Sequence, residues 1–236
     1  MTPLYVYALT DSPVETWVED GRRFESVPLE GIFALCERRP ASPPISEAEL
    51  QRQHAIVMRI AETAPAVLPA RFGSLVDETE LVAIVRQRAE TFREALELVR
   101  GNAQMTVRIA KRSPALPPSQ TLRRTRRSLG GGGQGCPPAA ASGRAYLEQR
   151  LKAVSRAFPA RIDASLEAVR RFVLDERRKV SDAGMVTVYQ LVRRGDVDGY
   201  KKRLVRVPDM LVTGPWPPFA FVPELWSQRP ERSKNE

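Results

Sequence analysis

Apolar positions change period several times along this chain, and each change predicts an element. Leu4–Thr10, LYVYALT, is a nearly continuous apolar run rich in β-formers and predicts a buried strand. Arg23–Leu35, RFESVPLEGIFAL, supplies a second strand, interrupted at Pro28 and Gly31. The period then becomes helical. Ser46 precedes Glu49 at capping-box spacing, and Leu50, His54, Val57, Met58 and Ala61 recur along one stripe of a helix within residues 45–64. Ala66–Val76, AVLPARFGSLV, reads as a strand kinked at Pro69 and turning near Gly73. A second helix over Asp77–Arg100 carries acids in its first turn and ends at Gly101, with Leu81, Ile84, Val85, Ala89, Phe92, Leu96 and Val99 as its apolar stripe. In the strand that follows, Met105, Val107 and Ile109 alternate with Gln104, Thr106 and Arg108. The order β-β-α-β-α-β predicts helices layered on one face of a small sheet, as in ferredoxin-like folds.

Residues 111–143 break this order with prolines, the basic cluster RRTRR and a glycine run, and they read as a linker. Beyond it, Leu147, Leu151, Val154, Phe158, Ile162, Leu166, Val169 and Val173 follow at steps of three or four, as one long helix or two meeting at Pro159. Gly184–Arg194 predicts another apolar strand, residues 196–207 a short helix, and residues 209–214 a strand. The expected class is therefore mixed α/β (α+β) in two small modules. A ferredoxin-like module spans 1–110, a linker 111–143, an α/β module with a long helix 144–225, and a polar tail 226–236.

Thr213–Val222, TGPWPPFAFV, holds three prolines and three aromatics in ten residues, which excludes a helix or a central strand. Its alternation places Phe219 and Phe221 on one inward face with Ala220 opposite, and Pro217 and Pro218 on an exposed edge. Trp216, beside an apolar strand, is expected to be buried.

Composition adds an asymmetry. Residues 1–110 carry 12 basic and 16 acidic side chains, a net −4, whereas 111–236 carry 25 and 12, a net +13. No run reaches the ~20 apolar residues that cross a bilayer, and the N-terminus carries no basic flank typical of a leader. Cys36 and Cys136 stand apart in unlike settings, which favours a reducing cytoplasm over a disulfide framework.

Candidate chemistry is sparse. His54, the single histidine, lies on a helical stripe without Cys or carboxylate at metal-ligand spacing, so it reads as structural. A Cys36–His54 pair lacks a signalled third group. No phosphate-binding loop or nucleophile elbow occurs. The sequence thus indicates no catalytic, metal or cofactor site. The clusters RRTRR and RRFVLDERRK raise nucleic-acid binding as an alternative, through phosphate neutralisation. Against it, the aromatics lie apart from the arginines, whereas single-strand binders interleave them.

Two motifs carry a resemblance. With LYVYAL before and GRAYLEQR between, VLPARFG and GPWPPF occur in the order of the gas vesicle protein F/L family, which this chain resembles over about residues 3–110 and 143–225. The motif positions are Leu68, Pro69, Arg71, Phe72 and Gly73, and Gly214, Pro215, Trp216, Pro217, Pro218 and Phe219. The resemblance implies two α/β domains, the first ferredoxin-like and the second joined to long antiparallel helices. It implies a non-enzymatic accessory protein of gas vesicle assembly, cytoplasmic or on the vesicle, with the shell subunit and other vesicle proteins as partners and no cofactor. The motif positions would then be structural or partner-binding.

Overall fold

A computed structural model describes residues 2–109, 162–164, 166–181, 185–204 and 210–223. The expected linker, the stripe from Leu147 to Phe158 and the polar tail lie outside the described residues. The architecture is mixed α+β, with two antiparallel sheets.

The first sheet orders its strands β2-β3-β4-β1-β5, where β1 is Leu4–Thr10, β2 Trp17–Glu19, β3 Arg22–Leu29, β4 Ile32–Arg38 and β5 Val67–Pro69. A two-residue strand β6, Leu75–Val76, also pairs with β1. The segment expected as one strand over 23–35 is a hairpin. Glu30 and Gly31 both take positive φ, 50° and 80°, the twist that joins two antiparallel strands in a two-residue turn. Asp20–Gly21 makes the same kind of turn between β2 and β3.

Strand β1 reads as continuously apolar because both of its faces are covered. Leu4, Val6 and Leu9 join a core with Ile32, Ala34 and Cys36. On the opposite face Tyr5, Tyr7, Phe24 and Leu35 pack with Ile56 and Ile60 of helix α1, Glu47–Thr63. Helices therefore lie on both faces, where the sequence pattern suggested one. The Ser46 cap forms as expected, its Oγ accepting the Glu49 N–H; Asp77, read as the first residue of the next helix, is itself a cap and accepts the Glu80 N–H. The expected 77–100 helix is two, α2 over Glu78–Gln87 and α3 over Ala89–Val99. No glycine or proline marks the break at Arg88; α2 packs on β3 while α3 packs on β5 and on the next strand, β7, Asn102–Ile109.

β7 does not close the first sheet. It is central in the second, ordered β10-β7-β9-β8, with β8 Val173–Val180, β9 Val186–Arg193 and β10 Met210–Trp216. One face of this sheet, with Met105, Val107, Val188 and Val192, is covered by Ile162, Leu166 and Val169 and by helix α4, Val197–Leu204. The stripe expected to run helically to Val173 ends earlier, in a 3-10 turn over Glu167–Phe172, and RRFVLDERRK is mostly strand β8 rather than a helix face.

The two sheets share a core. Leu191 of β9 and Phe221 join the cluster formed by the first sheet, α2 and α3. Cys36 lies at the centre of that cluster, and burial pushes its thiol up to about 12. A thiol so held is a weak nucleophile at neutral pH. In a Cys136→Ser variant at pH 8, Cys36 should therefore react with a disulfide reagent at least about a hundredfold more slowly than in urea. Fast labelling of the folded protein would contradict this burial.

Candidate partner-binding surface

The two signature segments reach the same place from different sheets. The first, Leu68–Gly73, leaves β5 under the control of buried polar groups. The Tyr5 hydroxyl donates to Gln53 Oε1 at 2.5 Å and accepts the Gly73 N–H at 3.0 Å. Gln53 Nε2 donates to the Ala70 carbonyl at 3.1 Å, and the Ala70 N–H donates to the Tyr7 carbonyl at 2.8 Å. Burial raises the Tyr5 pKa, so the phenol stays protonated and able to donate. Gly73 turns the chain at φ 87°, a conformation that costs glycine little. Leu68 and Pro69 are buried, Phe72 is half-buried and Arg71 is exposed.

The second segment begins on β10. Pairing with β7 is irregular between Thr213 and Trp216, where Gly214 takes φ 117°. A Cβ on Gly214 would stand 2.8 Å from the Gln104 carbonyl oxygen. Only glycine lets the two backbones approach this closely. Beyond it the chain enters a 3-10 turn over Phe219–Phe221, tied at both sides of one residue. The Ala220 N–H donates to Gln104 Oε1 at 2.7 Å, and Arg177 Nη1 donates to the Ala220 carbonyl at 2.7 Å. The Arg177 guanidinium also lies 5.2 Å from the centre of the Phe221 ring.

This turn replaces the expected alternation. Phe221 is buried, but Phe219 is 40% exposed, because residues two apart on a 3-10 turn leave the axis in different directions. Pro217 and Pro218, expected on an exposed edge, are buried instead; Pro215 is exposed and Trp216 only half-buried.

His54 joins the two segments. Its ring meets Trp216 edge-on at 5.4 Å and stacks on Phe219 at 5.9 Å. Between them opens a groove of about 340 Å³, lined chiefly by Leu50, His54, Pro69, Phe72, Phe219 and Val222. Leu50 is 45% exposed at its rim. Both main-chain groups of Ala70 and of Gly73 bond within the chain, and the groove offers chiefly apolar and aromatic side chains.

Sequence reasoning placed His54 on a structural stripe and missed this link, and it gave Gln53 no role. Gln104 belongs to the polar positions of β7 that alternation assigned to solvent. It is buried because the Phe219–Phe221 turn lies over that face. Cys36 and His54 do not meet: Cys36 points into the core on the α2 and α3 face, whereas α1 packs on the other. Among the described residues no three His, Cys, Asp or Glu side chains converge as metal ligands would.

The model of the gas vesicle synthesis protein GvpL/GvpF family matches residues 3–223. The chain belongs to this family. Among solved structures, a gas vesicle protein GvpF from an Anabaena species is similar with a TM-score of 0.71 at 16% identity, covering 94% of this chain and 99% of that one. A GvpF from Microcystis aeruginosa gives 0.69 at 12% identity, with the same coverage. At such identities the likeness is one of fold. No curated protein matches the chain. Family membership places the chain in gas vesicle synthesis, and the groove is where two sequence signatures of this GvpL/GvpF member meet.

Two substitutions should separate the structural part of the second motif from its exposed part. Phe221→Ala should cost about 3–5 kcal/mol of stability, as for other buried aromatics, whereas Phe219→Ala should cost under about 1 kcal/mol. Urea unfolding measures both, and equal losses would contradict the divergent placement of the two rings. Gly214→Ala should destabilise by more than about 1 kcal/mol, since it forces a side chain into a positive φ and against a carbonyl.

Proposed function

We propose that this chain is a non-enzymatic accessory protein of gas vesicle assembly, working on the vesicle or in the cytoplasm. On this reading it works by protein–protein contact with the shell subunit and other vesicle proteins, and the groove beside His54 is its docking surface. One observation carries the reading. Two motifs about 145 residues apart in sequence converge on an open apolar groove, with their backbones fixed by hydrogen bonds from the side chains of Gln53 and Gln104. Surfaces of this kind bind by inserting an apolar anchor into a preformed pocket, where rigidity limits the entropy lost on binding. Cys36 and His54, the side chains best suited to nucleophilic chemistry, are held apart and packed against apolar neighbours, which suits a binding role better than a catalytic one.

The test is capture of the full chain by immobilised shell subunit. Leu50→Ser and Phe219→Ser remove exposed apolar surface and should each weaken binding about tenfold or more, with melting temperatures close to wild type. Wild-type binding by both variants would overturn the assignment of the groove. Titration with labelled RNA and DNA separates the alternative: tight binding at physiological salt with a steep salt dependence would favour a nucleic-acid-binding protein.

A further inference from the structure

Among the described residues, β8 is hydrogen-bonded on one side only, to β9. It differs from the other sheet margins. β2 and β5 are three residues long, and β10 is interrupted by Gly214 and Pro215. β8 has eight residues, VLDERRKV, with neither glycine nor proline. A long regular edge is a template for another strand unless something blocks it. Its exposed residues include two large apolar ones near its ends, Leu174 at 47% and Val180 at 66%.

Symmetry limits how such an edge can meet a copy of itself. Residues directly opposite in an antiparallel pair share a face, and a two-fold axis normal to the sheet preserves faces. Allowed registers are therefore centred on a residue, not between residues. Centring on Arg177 sets Glu176 against the partner's Arg178 and Asp175 against the partner's Lys179, all within the regular part of the strand. Each pairing occurs twice, giving four opposite-charge pairs. Those of Glu176 with Arg178 extend the pair that these two side chains make within each chain at 2.6 Å, and Asp175 exchanges its bond to the Glu176 N–H, at 2.7 Å, for the partner strand. Centring on Glu176 instead opposes two glutamates and leaves Arg178 and Lys179 without acidic partners. Centring on Asp175 or Arg178 loses more of the pairs. The one like pair in the favoured register is Arg177 with its copy. That guanidinium is already engaged by its own chain, through the Ala220 carbonyl and the Phe221 ring.

We propose that β8 is a homodimer interface, in which two copies pair their β8 edges antiparallel about Arg177 and join their four-stranded sheets into one of eight. Opposite charges facing across strands stabilise such a pair, whereas like charges oppose it. The pairing is isologous and closes on itself, so it removes the edge without growing into a fibre. The strand is regular from Asp175 to Val180, with the irregularity at Leu174 confined to one end of the contact.

Asp175 and Lys179 are four residues apart on one strand, about 13 Å, too far to pair within a chain. They therefore permit a charge exchange between copies. In sedimentation equilibrium the wild-type full chain should be a dimer at tens of micromolar. Asp175→Lys and Lys179→Asp should each associate about tenfold more weakly or less, since each opposes like charges twice. An equimolar mixture of the two variants restores every opposite pair and should dimerise as the wild type does. Circular dichroism melts of each variant establish that both are folded. A monomeric wild type, single variants that dimerise undiminished, or a mixture that stays monomeric would each overturn the proposal.

Discussion

Phe221 entering the core of the first sheet is the contact on which the arrangement of this chain depends. It comes from the last described segment, after β10, yet it packs with Leu68, Leu81 and Phe92 from the N-terminal elements. A buried aromatic removes a large apolar area from water, so the gain is lost unless the two sheets keep their relation. The polar groups around it make that relation specific. Gln104 and Arg177, from β7 and β8, bond the N–H and the carbonyl of Ala220 and so fix the backbone that precedes the ring. Without Gln104 the part-buried Ala220 N–H would lose its partner, a cost comparable to a hydrogen bond, whereas the more exposed Ala220 carbonyl could turn to water.

Most elements were legible because their apolar residues obey one period. β1, β9 and α4 read from pattern alone, as did the extent and Ser46 cap of α1, although α1 buries Gln53, Ile56, Val57 and Ile60 where the expected stripe ran through Leu50, His54, Val57, Met58 and Ala61. The hairpins were less visible, although Asp20–Gly21 is a strong turn signal that an amphipathic reading passes over. β7 shows a deeper limit. Its alternation is real, but alternation reports that one face is apolar and not which sheet receives the strand. Nor does it report that the polar face, with Gln104 and Thr106, will be covered by a turn from more than a hundred residues later. The break at Arg88 had no local cause at all; it follows from the strands that each half of the helix packs on.

The candidate surface was half legible in the same sense. Both motifs stood out in the sequence, since proline, glycine and aromatics at such density restrict the backbone. Their meeting through His54 did not, because ring contacts at 5.4 and 5.9 Å between distant segments leave no periodic trace. A lone histidine on an apolar stripe is ordinarily a packed core residue. Here it is packed, but at the margin of the core, where the same ring also lines the groove.

That position bears on why one motif serves two ends. In an extended strand Phe219 and Phe221 would share a face, and the segment could be either core or surface. A 3-10 turn has three residues per turn, so positions two apart diverge and the same short sequence supplies one ring to each side. Pro217 and Pro218 make this conformation inexpensive, because their φ is fixed before folding and they bring no N–H that burial would strand. The Phe219 and Phe221 amides, which a strand would have paired with β7, bond back to the Pro217 and Pro218 carbonyls at 2.7 and 2.9 Å. The turn is thus satisfied within itself and anchored by Phe221. It holds Phe219 against His54 without needing a partner to order it, so binding at this surface need not bear the entropy of folding it.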